Sequence, residues 1–282
     1  MIRHVRILII IIMVLFFLPG SLHVQVGQGS PAGAGEVKRG IQAEGACAIV
    51  EMSAEQSQLT ALQRARAAAI EQAAGVSVSS STLVTNYVVA ADFIKTYARG
   101  FIVSEKVTWL LGQYQKDSSH APIPEYRVRI VADVYVPPEK ALSLGLKAKL
   151  NSAVFRNGEK AKISVKVGRD AWLAIFNIMA DDRVSLIFPN IHEQNNVITA
   201  GNDFIFPAKD AKVELEMQTL PGHQKDAEAF FVVAWDRSRD IRIRKMFPET
   251  EPLSLSEFFR RLAEIADNIE DAILPYEVVT GQ

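Results

Sequence analysis

The sequence predicts an α+β protein: a small module of helices on one antiparallel sheet, then a β-sandwich, then a C-terminal amphipathic helix. Three observations carry this reading. Residues 36–136 mix helical and alternating apolar spacing, residues 149–247 break into short β-type runs separated by turn residues, and residues 255–273 return to helical spacing. With 282 residues, 49% of them hydrophobic, the chain has material for two ordinary domains.

The N-terminus comes first. Arg3, His4 and Arg6 lead into an unbroken apolar run from Ile7 to Leu18, which Pro19 and Gly20 stop. At about 1.5 Å per helical residue this run reaches roughly 18 Å, short of the roughly 30 Å hydrocarbon core that a spanning helix must cross. Residues 1–20 are therefore expected to be a secretory signal, and the protein is expected to be periplasmic or associated with the cell envelope. Residues 21–35, rich in Gly, Ser and Gln, hold too little apolar matter to repay ordering and read as a flexible linker. Ala32-Gly33-Ala34 and Leu18-Pro19-Gly20 leave the cleavage point open. The single cysteine, Cys47, excludes an internal disulfide. Because it follows Glu44-Gly45-Ala46 far beyond the apolar run, no lipoprotein is expected. Membrane contact is expected only through an uncleaved signal.

In the first module, Val37 to Glu51 alternates loosely around Gly40 and Gly45 and suits a strand with close backbone approach. Ser53 and Gln56 make a capping box for a helix whose apolar face is Leu59, Leu62, Ala65, Ala69, Ile70 and Ala73, ended by Gly75. A second helix is expected from Thr82 to Ala98. Two strands, Phe101 to Tyr114 and Glu125 to Val136, should form a hairpin around the loop Gln115 to Pro124. Gly45, the stretch Arg64 to Gly75 and Ala98-Arg99-Gly100-Phe101-Ile102 resemble the amino-terminal domain of flagellar assembly protein T and the related lipoprotein-20 family. The resemblance implies envelope assembly or surface attachment.

Pro137-Pro138 closes this module, and residues 137–148 form a charged connector. β-type runs follow at Ala161–Val167, Ala171–Met179, Arg183–Phe188, Asp203–Phe206, Lys212–Met217 and Ala229–Trp235. Asn157-Gly158, Gly168-Arg169-Asp170, Asp181-Asp182 and Pro221-Gly222 separate most of them, the spacing of a sandwich over residues 149–247. Phe155, Gly158-Glu159, Trp172-Leu173-Ala174-Ile175-Phe176, Asp182, Leu186 to Asn190, Asn196-Val197-Ile198, Ala200-Gly201 and Phe206-Pro207 occur in an order similar to the bacterial family called domain of unknown function 4384. Its members join varied partner modules, which implies recognition or scaffolding without naming a ligand. Phe188-Pro189-Asn190 also has a purely structural reading: a core plug, a residue without N–H that stops the ladder, and a side chain that turns the backbone.

In residues 248–282, Ser254 and Glu257 form a second capping box. Leu255, Phe258, Phe259, Leu262, Ile265, Ala266, Ile269 and Ile273 make a continuous helical stripe up to Pro275. Such a helix either docks on its own domain or enters a partner's groove.

The formal net charge is −1, acidic and basic residues read as mixed along the chain, and no nucleic-acid partner is expected. No cofactor or metal is expected either. Beyond the signal and linker the histidines are His120, His192 and His223, and His192-Glu193 lacks the second histidine of the metalloprotease pattern. Asp181, Asp182, Asn190, Asn195, Asn196, Asn202 and Asp203 make the loops oxygen-rich, a set that turn chemistry explains more cheaply than calcium. Cys47 reads as a small buried hydrophobe. The leading expectation is a non-catalytic envelope protein that binds a protein or glycan partner. The alternative is an envelope hydrolase with an acidic or Asn-lined site. The candidate binding loop is Asn190 to Gly201, with Asn190, His192, Glu193, Gln194, Asn195 and Asn196 as its polar groups.

Overall fold

The computed structural model describes residues 35–50, 52–75, 100–115, 117–138 and 144–281, all within one compact unit. The expected signal, nearly all of the expected linker and the expected helix from Thr82 to Ala98 lie outside the described residues. The chain that is described is mostly strand.

β1 (Glu36–Ala48) leads into helix α1 (Ala54–Ala74), and β2 (Phe101–Tyr114) and β3 (Ile123–Val136) complete an antiparallel sheet of order β1-β3-β2. Strict alternation in β3 explains its place in the middle: Val128, Ile130, Ala132 and Val134 are wholly buried, while Arg127 and Arg129 face outward. The Ser53–Gln56 capping box forms with both of its bonds, and Gly75 ends α1 at φ 70°, a left-handed conformation suited to glycine. Ala61, Ala65, Ala69 and Ala73 form the buried face of α1, small enough to bring the helix down onto the sheet. Gly45 is where that approach is closest. A Cβ there would lie 2.1 Å from the Ala61 carbonyl oxygen and 2.6 Å from the Ala65 nitrogen.

The remaining strands are β4 (Lys147–Leu150), β5 (Val154–Arg156), β6 (Lys160–Ala161), β7 (Ile163–Lys166), β8 (Ala171–Ile178), β9 (Arg183–Phe188), β10 (Val197–Ile198), β11 (Phe204–Phe206), β12 (Leu215–Glu216) and β13 (Lys225–Asp236). They are followed by the one-turn helix α2 (Ile243–Met246), β14 (Leu253–Ser254), helix α3 (Leu255–Ala263) and β15 (Ile269–Val279). The larger sheet runs β14-β9-β8-β13-β15-β5, with β10 also on β8. Its middle strands β8 and β13 are buried on both faces. Leu173, Ile175, Phe230 and Val232 share one core with Ile163 and Val165 of the small sheet β11-β7-β4. Phe176, Phe231 and Val233 share another with Phe258 and Phe259 of α3 and with Ile130 and Val134 of β3.

The helical stripe read from Leu255 to Ile273 is corrected by the structure: α3 stops at Ala263, a short 3-10 turn follows at Ala266–Asn268, and Ile269 onward is strand. The residues after Ala263 serve two periodicities, since Ala272, Leu274, Tyr276 and Val278 also alternate. Eleven register pairs with β13, from Trp235↔Ile269 to Lys225↔Val279, decide in favour of the strand. Only half of the second capping box forms. The Ser254 hydroxyl accepts from the Glu257 N–H, but the Glu257 carboxylate turns to Arg260 and Arg261, and those hydrogen bonds, Arg260 first, hold it down at about 2. The short helix wedges Phe259 against Phe101 of β2, ring centroids 5.0 Å apart, and Phe258 against Phe176 of β8 at 4.9 Å.

A buried arginine ties the same layers together. Arg66 of α1, 4% exposed, donates to both carboxylate oxygens of Glu105 on β2 and, at 2.8 and 2.6 Å, to those of Asp182 in the β8–β9 turn. Asp182 holds φ 67°, a conformation that Asp tolerates better than most residues, and its carbonyl also receives the Leu255 N–H.

The alanine-lined approach of α1 to β1 gives a prediction. Gly45→Ala is expected to lower stability by about 1–3 kcal/mol through overpacking against backbone that cannot retreat without moving the helix. Urea denaturation reads this, with Gly281→Ala, whose Cβ meets nothing within 4 Å, as the neutral comparison.

Candidate functional site

One groove gathers aromatic, amide and cationic side chains at the end where β8 begins and β13 finishes. Trp172 and Trp235 are direct register partners across these two strands, and both line the groove. Trp235 is 1% exposed, and its indole N–H has no acceptor among the described residues. Trp172 is half-buried and carries the Arg237 guanidinium over its ring, 6.0 Å from the centroid. The groove is open and has a volume of about 450 Å³, within the range of small-ligand sites.

Its cationic side comes from the segment that follows β13. Arg237, Arg239, Arg242, Arg244 and Lys245 put five cations into nine residues, and all five line the groove. Three have carboxylate partners: Arg237 with Asp170 at 3.5 Å, Arg242 with Asp240 at 3.4 Å and Arg244 with Glu249 at 2.5 Å. Among the described residues Arg239 and Lys245 form no ion pair, and both are exposed. The sequence reading of mixed charge passed over this run, whose signal was an aromatic residue two positions from each end, Trp235 before it and Phe247 after.

The candidate loop borders the groove, but its six polar residues divide. Pro189, Gln194 and Asn196 line the groove. Asn190 is spent on the turn, as its structural reading anticipates: Oδ1 accepts from the His192 and Glu193 N–H groups, both at 2.9 Å, and Nδ2 donates to Ile187 O. Asn195 accepts from the Val197 N–H at 3.2 Å. Asn196, expected to project, is 9% exposed; its Nδ2 donates to Leu173 O at 2.9 Å while its own carbonyl accepts from Leu173 N, stitching the loop to β8. Asn190, Asn195 and Asn196 thus serve as scaffold, though Asn195 is exposed; His192 and Gln194 are the other exposed polar side chains, and Glu193 is half-buried, its Oε1 without a hydrogen-bond partner among the described residues. Phe188 is fully buried against Phe204 and Phe206, and the peptide bonds Phe188–Pro189 and Phe206–Pro207 are cis.

Residues 154–226 match the family model described as Domain of unknown function (DUF4384). No curated protein matches the chain. The matched segment supplies Trp172, Pro189, Gln194 and Asn196 to the groove, while Trp235 and the five cations follow it in sequence. The resemblance of residues 36–136 to the flagellar assembly protein T domain receives no support from the family comparison.

A second groove, of about 400 Å³, opens between the start of α1 and the start of β13. Into it reach His223 and Asp226, with His223 Nδ1 2.6 Å from Asp226 Oδ1, while the other Asp226 oxygen accepts from the Leu220 N–H. Ser53 also lines it, though its hydroxyl is occupied as the cap of α1. His120 sits apart, in the β2–β3 loop with Asp117. Among the described residues no three His, Cys, Asp or Glu side chains group as a metal site. Cys47 is buried beside Met52, and burial pushes its thiol up.

A buried polar cluster lies on the strands behind this groove. The Tyr276 hydroxyl is 2.6 Å from Glu228 Oε2 and 2.8 Å from Asn177 Oδ1, and the other Glu228 oxygen accepts from the Ala180 N–H. One hydroxyl proton cannot serve two acceptors. Burial pushes the Glu228 carboxyl up, and a protonated Glu228 donating to Tyr276 frees that hydroxyl to donate to Asn177.

Two outcomes are expected. Asn196→Ala orphans a buried carbonyl and should cost about 1–3 kcal/mol, whereas His192→Ala and Gln194→Ala should stay within about 0.5 kcal/mol, all read by urea denaturation. For Glu228, a raised folded value means that stability is fully present below the ordinary carboxylate value of about 4.3 and falls as pH rises through the folded value. Glu228→Gln mimics the neutral acid, so its denaturation midpoint should decline less than the wild type's between about pH 4 and pH 8.

Proposed function

We propose that this chain is an exported, non-catalytic protein of the bacterial cell envelope that serves as a binding or assembly module for a protein or glycan partner. We read its two facing sheets as a β-sandwich whose loops, held by structural hydrogen bonds, carry the recognition surface. The groove of Trp172, Trp235 and the Arg237–Lys245 segment is the observation that carries this reading. It combines an apolar floor, amide side chains and exposed cations on rigid supports, the mixture by which binding sites orient a ligand. The apolar run at Ile7–Leu18 supports export, and the match to a family of unknown function leaves the partner open. The resemblance of the first module to flagellar assembly protein T adds an assembly role to the proposal.

The second reading, an envelope hydrolase, draws on the His223–Asp226 pair in the other groove. One experiment separates the two. The full chain and its Arg239→Ala/Lys245→Ala variant are used to capture partners from envelope extract, and the same extract is assayed for hydrolysis. Binding predicts a defined species held by the wild type and lost with the variant. Hydrolysis abolished by His223→Ala, with capture indifferent to Arg239 and Lys245, would replace this reading with the hydrolase.

A further inference from the structure

We infer that the groove receives an acidic sugar, one or two rings bearing a carboxylate or phosphate group. The inference rests on the binding reading above and narrows its ligand. Five cations line one small groove, with Asp240 the one carboxylate among its lining residues, in a protein whose formal net charge is −1, so the positive charge is local. Arg237 is held in place by the Trp172 ring and by Asp170. Arg239 and Lys245 are exposed and in no close ion pair among the described residues, Arg239 being attracted only at longer range by Asp236, so an anion entering the groove meets cations that no carboxylate holds in contact. That accounts for the acid group.

The ring is argued from the rest of the lining. Trp172, half-buried, gives the groove an apolar surface of the kind on which the C–H face of a sugar rests, while Gln194 and Ser238 offer an amide and a hydroxyl for ring hydroxyls. A groove of about 450 Å³ fits one or two rings. A nucleic-acid strand instead needs a cationic track over several nucleotides with bases stacked along it.

The test is calorimetric titration of the full chain with digalacturonate, glucose 6-phosphate, inorganic phosphate, maltose and a short single-stranded oligonucleotide, at low and moderate salt. The acidic sugars should bind, more weakly as salt rises, and maltose should not. Arg239→Ala/Lys245→Ala should weaken acidic-sugar binding by about tenfold or more. Arg127→Ala/Arg129→Ala, which removes two exposed cations from β3, should leave it unchanged and so exclude a net-charge effect. Maltose binding as tightly as digalacturonate would overturn the requirement for acid. Inorganic phosphate binding as tightly as glucose 6-phosphate would overturn the requirement for a ring. Tighter binding of the oligonucleotide would overturn the sugar altogether. If none of the probes bound while the wild type still captured an envelope partner that the double variant lost, the acidic sugar would be wrong and the binding reading would stand.

Discussion

The two strands at the centre of the larger sheet, β8 and β13, are buried on both faces, and this constraint organises the molecule. A strand covered on one side alternates apolar and polar residues; one covered on both sides must be apolar throughout. Ala171 to Phe176 and Ala229 to Trp235 meet that demand almost without a break. They therefore need a layer on each side. The small sheet β11-β7-β4 supplies one, and α3 with the β1-β3-β2 sheet supplies the other. Phe176 and Phe231 reach α3 from one face while their neighbours Ile175 and Phe230 reach the small sheet from the other, so neither layer can be lost without exposing half of the same two strands.

Where one periodicity dominated, the sequence was readable. The capping box at Ser53, the alanine face of α1 and the stop at Gly75 stand as read, and β9 covers the expected Arg183–Phe188. Legibility failed where local and long-range preferences competed. Ile265, Ile269 and Ile273 fit a helix stripe, yet β-branched residues beside the open edge of β13 gain a full ladder there, which no local pattern reveals. The β10 and β14 strands are two residues each and exist only through pairing with β8 and β9. The Arg66 pairing with Asp182 joins residues 116 apart in sequence, and an arginine within an alanine-rich helix gives no sign of which carboxylate it will meet.

The site was legible in part for a similar reason. Its loop could be placed, because Phe188-Pro189-Asn190 marks the end of a strand and a turn, but the direction of each side chain depends on neighbours distant in sequence. Asn196 turns inward because Leu173 presents a backbone N–H and a carbonyl at the same point, and the loop closes by imitating a strand. The tryptophans face one groove because antiparallel register sets Trp172 opposite Trp235. Proximity of the loop and the cationic segment follows from the same pairing: β10 lies on the start of β8, and the cations begin two residues after Trp235 leaves the end of β13.

The cations themselves show how burial separates fold from function. Arg66 is buried, and burying a guanidinium without partners is prohibitive, so two carboxylates converge on it from different elements and the charge is consumed by the fold. On the groove rim that pressure is absent. Exposed arginines and lysines are well hydrated, and pairing them adds little stability, so nothing in the folding requires that Arg239 and Lys245 be neutralised. Their place on the lining of the groove that also holds Trp172 therefore has no structural return that neutral residues could not have given. Under the binding reading proposed above, what it provides is cationic charge gathered at one concave site of a chain whose formal net charge is −1, a condition that favours a small anion there.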